Sequence, residues 1–132
     1  MYLFAYGSNM HTAHVHRWAM GQGYSSSRWN EVVGNAMGPA FLPDFALAWE
    51  DIREQGAGVR SELGGVVHGI LIHLPSRKTL TVYDHKEGFP EHYTRTQELV
   101  HPMGAVFPSG LEDRRVEGQP VQAWVYQLQN EW

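Results

Sequence analysis

The chain has 132 residues, 42% of them hydrophobic and 18% charged, with a net charge of −4, eight histidines counted as neutral, and no cysteine. That is the length and composition of one folded globular domain with a real core, spanning residues 1–132. The composition excludes disulfides, thiolate metal sites and a cysteine nucleophile, and it argues against a nucleic-acid partner, because no basic run supplies the cationic footprint that phosphates require.

The N-terminus lacks a basic start followed by a cleavable apolar segment, and no apolar run is long enough to cross a bilayer. The expectation is a soluble cytoplasmic protein without a membrane partner. Oligomeric state leaves no trace in the sequence.

Residues Met1 to Tyr6 are unbroken apolar or aromatic, which suits a strand buried on both faces. Gly7-Ser8-Asn9 then stops it with three turn-forming residues. A strand, a tight polar turn and a helix start leave backbone N–H groups pointing one way, and such a turn can hold an anion, in particular a carboxylate. An ordinary turn capped by Ser8 or Asn9 would look the same. His11 to Met20 reads as a short helix ended by Gly21 and Gly23, with Val15, Trp18 and Ala19 at helical intervals. Ser25-Ser26-Ser27 reads as exposed loop, and Trp29 to Gly38 is ambiguous.

Gly38-Pro39 and Pro43-Asp44 punctuate the approach to a strand at Phe45 to Trp49, where large residues alternate with small ones. Glu50 to Gly58 reads as a charged surface loop. Val66 to Leu74 is a second strand: Val66, His68, Ile70, Ile72 and Leu74 share one face, Val67, Gly69 and Leu71 the other, and Pro75 closes it. Ser76 then has the character of a helix N-cap for Arg77 to Glu87, with Gly88 as a left-handed C-cap and Pro90 soon after. His92 to Val100 and Val121 to Leu128 read as strands, the latter placing Trp124, Tyr126 and Leu128 on one face. Pro102 to Pro120 reads as loops or a hairpin. Mainly strands, with one good helix and one weaker one, the pattern is α+β with a curled or closed sheet.

Leu80, Tyr83, Asp84 and Glu87 fall at i, i+3, i+4 and i+7, so two carboxylates are carried toward the core on one helix face. At a helix C-terminus beside apolar residues, the charged form of Glu87 is disfavoured twice over, which lifts its pKa toward the range of a general acid/base. A Glu87 that frays into solvent gives the same spacing, and Asp84 more often pairs locally than catalyses. His11, His14 and His16 lie close in sequence, and His68 and His73 share a strand. Neither group has metal-ligand spacing: His14 and His16 point to different faces of a helix, His68 and His73 to opposite faces of a strand. Ser8 is not in a G-x-S-x-G elbow. Trp18, Trp29, Trp49 and Trp124 read as core or pocket wall.

Phe4-Ala5-Tyr6-Gly7-Ser8-Asn9-Met10 resembles the signature turn of the gamma-glutamylcyclotransferases. Val66-Val67-His68-Gly69-Ile70-Leu71 is similar to that family's central strand. Tyr83-Asp84-His85-Lys86-Glu87-Gly88 followed by Tyr93-Thr94-Arg95 is similar to its D-x-x-E-G segment and Y-x-R strand. Val121 to Tyr126 resembles the closing strand. The resemblance spans most of the chain, with Ala13 to Ala40 aligning only loosely. Tyr83 and Met10 stand where leucines are usual.

The resemblance implies a small mixed β-barrel with one or two flanking helices, no cofactor and no metal. It further implies release of pyroglutamate from a small-molecule γ-glutamyl substrate. Glu87 would be the acid/base, Tyr6, Gly7, Ser8, Asn9 and Met10 would bind the substrate headgroup, and Tyr93 and Tyr126 would offer pocket hydroxyls. A non-catalytic module binding a small acid in the same pocket is the alternative, and a histidine-based metal hydrolase ranks last.

Overall fold

Two long strands form the wall on which the other elements close. β2 (Asn35–Glu50) and β3 (Gly56–His73) pair antiparallel from Asn35↔His73 to Glu50↔Gly56. The computed structural model describes residues 1–24, 29–50, 56–103 and 119–128. β1 (Tyr2–Ala5) pairs antiparallel with β3, β4 (Tyr93–Pro102) pairs antiparallel with β2, and β5 (Val121–Leu128) pairs antiparallel with β4. The parallel pairing of β1 with β5 at Leu3↔Trp124 closes a five-stranded mixed barrel in the order β1-β3-β2-β4-β5.

So small a barrel needs strongly bent strands. The register of β2 shifts between Ala36 and Gly38 and again between Pro43 and Phe45, with Gly38 at φ 128° and Asp44 at φ 63°. Gly38-Pro39 and Pro43-Asp44, expected as breaks before a strand, are therefore bulges inside one. A bulge admits Pro or a left-handed residue because pairing is interrupted there, and it adds twist. Past the second bulge the alternation of large and small residues does not keep one filled face: Phe45 and Ala48 are buried, while Leu47 is 50% exposed.

The core has two parts. Inside the barrel lie Phe4, Leu42, Val67, Leu71, Val100 and Val125. Between the barrel and its helices lie Leu3, Ala5, Ile72, Leu74, Tyr126 and the helical residues Val15, Val33, Leu80 and Tyr83. β1 is thus buried on both faces, and the two faces expected for Val66 to Leu74 divide between the two parts, with Val66 exposed at the far end.

α1 (Thr12–Gly21) buries Val15 and Ala19, and Trp18 packs half-buried beside them. The ambiguous stretch from Trp29 to Gly38 divides into a short α2 (Trp29–Val33) and the start of β2. α3 (Arg77–Glu87) ends at Gly88 in the left-handed conformation, φ 71°. Ser76 sits at the N-cap in extended conformation, but its side chain makes no capping bond. Thr79 Oγ1 donates to the Glu31 carbonyl at 2.8 Å and the Tyr83 hydroxyl to the Val33 carbonyl at 2.7 Å, so α3 takes up carbonyls of α2. The loop expected at Ser25 to Ser27 and most of Pro102 to Pro120 lie outside the described residues, as do the side chains of Trp29, Trp49 and Leu128. Among the described residues no helix is long and apolar enough to cross a membrane.

Gly69 lies where β3 passes under β1. A Cβ there would meet the Ala5 carbonyl oxygen and sit 2.8 Å from Phe4 Cζ. Neither can retreat, one being barrel backbone and the other a buried ring. Gly69→Ala is expected to destabilise the fold by about 1–3 kcal/mol, read as a lower urea midpoint. An unchanged midpoint would show that β1 and β3 can separate freely at this crossing.

Candidate active site

The turn after β1 is a single 3-10 helix, Gly7–Met10. Gly7 opens it at φ 64°, a conformation that glycine adopts without steric cost. The first N–H groups of such a turn have no intrahelical acceptor. Gly7 and Ser8 are exposed, Asn9 is buried, and Met10 packs half-buried against the helical part of the core.

The C-terminal end of α3 lies against this turn. Lys86 Nζ donates to Asn9 Oδ1 at 2.8 Å and to Ser8 Oγ at 3.2 Å, and it pairs with Glu87 Oε2 at 3.6 Å. The Glu87 side chain is 15% exposed, so it does not fray into solvent. Burial raises the pKa of Glu87 above the ordinary carboxylate range, and the Lys86 charge and the neighbouring Asn9 side chain oppose that rise without cancelling it.

Three buried tyrosines lie near enough to feel the charge of Glu87. The Tyr6 hydroxyl donates a short bond to the Tyr126 carbonyl, and the Tyr126 hydroxyl donates to Asp84 Oδ1 at 2.6 Å. Burial pushes the phenols of Tyr6, Tyr83 and Tyr126 well above their usual range, and the Glu87 charge adds to each. They are neutral near physiological pH and act as hydrogen-bond donors, not bases. Tyr93, buried at the start of β4, also raises the pKa of Tyr6.

Asp84 faces the same region but is engaged elsewhere. It accepts both Arg95 Nε at 2.7 Å and Arg95 Nη2 at 3.1 Å. The guanidinium lies 4.5 Å from the Phe89 ring centroid and 4.4 Å from that of Trp124. This fork ties α3 to β4 and orients Tyr126 through its hydroxyl.

The expected residues Tyr6 to Met10, Glu87 and Tyr126 thus meet at one end of the barrel. Lys86 went unnoticed in the sequence, because a lysine in the last turn of a helix ordinarily serves the helix dipole from solvent. Only its spacing of one from Glu87 marked it. Among the described residues no group of three or more His, Asp or Glu side chains is placed to hold a metal, and His11, just before α1, and His14, on it, are exposed.

Solved structures share this architecture. An uncharacterized protein from Homo sapiens superposes with a TM-score of 0.68 at 19% identity, over 98% of this chain and 66% of its own. A gamma-glutamyl cyclotransferase superposes with a TM-score of 0.68 at 18% identity, over 98% of this chain and 67% of its own. YkqA from Bacillus subtilis gives 0.68 at 20% identity, over 99% of this chain and 41% of its own. The chain therefore spans about two thirds of the first two and less than half of the third, and at these identities the likeness is one of fold. No curated protein matches the sequence significantly. The model of the gamma-glutamyl cyclotransferase, AIG2-like family matches residues 3–132, nearly the whole chain, and the chain belongs to that family.

Proposed function

We propose that the protein cyclises a γ-glutamyl group, releasing pyroglutamate and a free amine, with Glu87 as general acid/base. The observation that carries this reading is the pairing of a buried carboxyl, its pKa raised by burial, with the Gly7–Met10 turn through Lys86, which contacts Glu87, Ser8 and Asn9. Family membership supports the reaction class.

The substrate supplies its own nucleophile, so neither serine nor cysteine is needed. Ionised Glu87 takes a proton from the α-ammonium. The freed amine attacks the γ-carbonyl carbon and forms the ring C–N bond. Glu87 then returns the proton to the departing nitrogen as the original amide bond breaks, and the ring nitrogen gives up its second proton, which the released amine takes up. Intramolecular attack reaches effective molarities of about 10⁵ M or more when the ends are held in line. The remaining task is to fold the substrate and move protons from the attacking nitrogen to the departing one. N–H groups at Gly7 to Asn9 suit either the substrate carboxylate or the developing oxyanion. Tyr93 and Tyr126 are proposed as wall hydroxyls.

Incubation with a panel of γ-glutamyl amines, γ-glutamyl dipeptides and glutathione, monitored for pyroglutamate, tests the reading. Product from at least one member is expected. Saturable binding without product would instead make this a binding module for a small acid. Turnover is expected to be unchanged by EDTA, since no step calls for a metal. Inhibition by EDTA that added zinc reverses would return the histidines to consideration.

A further inference from the structure

We infer that Lys86 is a positioning residue that keeps Glu87 ionised in the free protein, bridging it to Ser8 and Asn9 of the turn so that the acid/base begins its cycle as a base. The inference rests on the role given to Glu87 above.

Adjacent residues on a helix project about 100° apart, and a lysine beside a glutamate normally extends into water. Here the Lys86 side chain is 10% exposed and folds back across the end of α3. It donates to Ser8 Oγ and Asn9 Oδ1 and forms an ion pair with Glu87 Oε2 at 3.6 Å. The Asn9 side-chain carbonyl is thereby held toward Lys86. The cation favours the carboxylate over the carboxylic acid, and the Asn9 side chain acts in the same sense.

The other groups facing Glu87 cannot do this. Tyr6 at the end of β1, Tyr126 on β5 and Tyr83 on α3 are neutral phenols, and any charge on them would act in the opposite sense. Arg95 is spent on Asp84. Among the described residues, Lys86 is the cation whose charge bears on Glu87. A carboxyl this buried and without that cation would hold its proton to higher pH, and a protonated Glu87 cannot accept one from the substrate ammonium.

The test is a ¹³C NMR titration of the Glu87 carboxyl, assigned by its loss in Glu87→Gln, in the wild type and in Lys86→Gln, Lys86→Met and Lys86→Arg. The pH profile of kcat/KM is measured alongside on the γ-glutamyl compound turned over best. The Glu87 midpoint and the acid limb are both expected at higher pH in the Gln and Met variants and near the wild-type position in Arg. At a fixed pH on that limb, kcat/KM should fall about tenfold for each unit of displacement, and it should recover toward the wild-type plateau at higher pH. A uniform loss of rate with an unmoved Glu87 midpoint overturns the inference. So does a wild-type profile in Lys86→Gln, which keeps a hydrogen-bond donor without the charge. If Glu87 moves as expected but no γ-glutamyl compound is consumed, the inference about Lys86 stands and the proposed reaction fails.

Discussion

Glu87→Gln is expected to lower kcat by about 10²–10⁴-fold or more, with the circular dichroism spectrum and the affinity for a non-cyclising γ-glutamyl analogue preserved. The amide keeps the size of the side chain and its place beside Lys86, but it can neither take up nor return the proton. A variant that retains most of its turnover would remove Glu87 from the mechanism.

The same substitution has a thermodynamic signature. Burial places the folded-state pKa of Glu87 above that of the unfolded chain. Its contribution to stability is fully present below the unfolded pKa and is lost as pH rises through the folded one. Gln carries no such loss. The variant should therefore melt at or above the wild type near neutral and alkaline pH, and the difference should vanish in acid. A gain of stability joined to a loss of turnover marks a group held in place for function at the expense of the fold.

Asp84→Ala is the largest expected loss of stability. It strips the Arg95 guanidinium of both its carboxylate contacts and leaves the Tyr126 hydroxyl without an acceptor. The Asp84 and Arg95 side chains are 19% and 13% exposed, so water replaces little of what is lost. Breaking such a pair from one side costs about 3 kcal/mol, which for a domain of this size lowers the melting temperature by roughly 10 °C. Asp84→Asn, which still accepts from Tyr126, should lose distinctly less. A cost below about 1 kcal/mol would mean that the fork behaves as an ordinary surface ion pair. Turnover per folded molecule should fall as well, since Tyr126 takes the Tyr6 hydroxyl on its carbonyl and would no longer be held from its own ring.

What could be read along the chain is what depends on neighbours along the chain. Arg77–Glu87 and its Gly88 cap were legible because helix period and left-handed termination are local properties. Val121–Leu128 was legible for the same reason at period two. The turn after β1 and the carboxyl at Glu87 stood out by their residue types and spacing, and the family resemblance gave them their expected roles. Tertiary structure alone decided the rest. It turned the Gly38-Pro39 and Pro43-Asp44 punctuation into bulges, because only a closing barrel requires the bend. It joined Leu3 to Trp124, 121 positions apart in sequence number, through parallel pairing. It folded Lys86 onto Ser8 and Asn9, and Asp84 onto Arg95, because which polar groups must satisfy one another depends on which surfaces meet when the helices cover the barrel. Burial patterns are written in the order of residues, whereas the partners of a buried charge are written only in their distances.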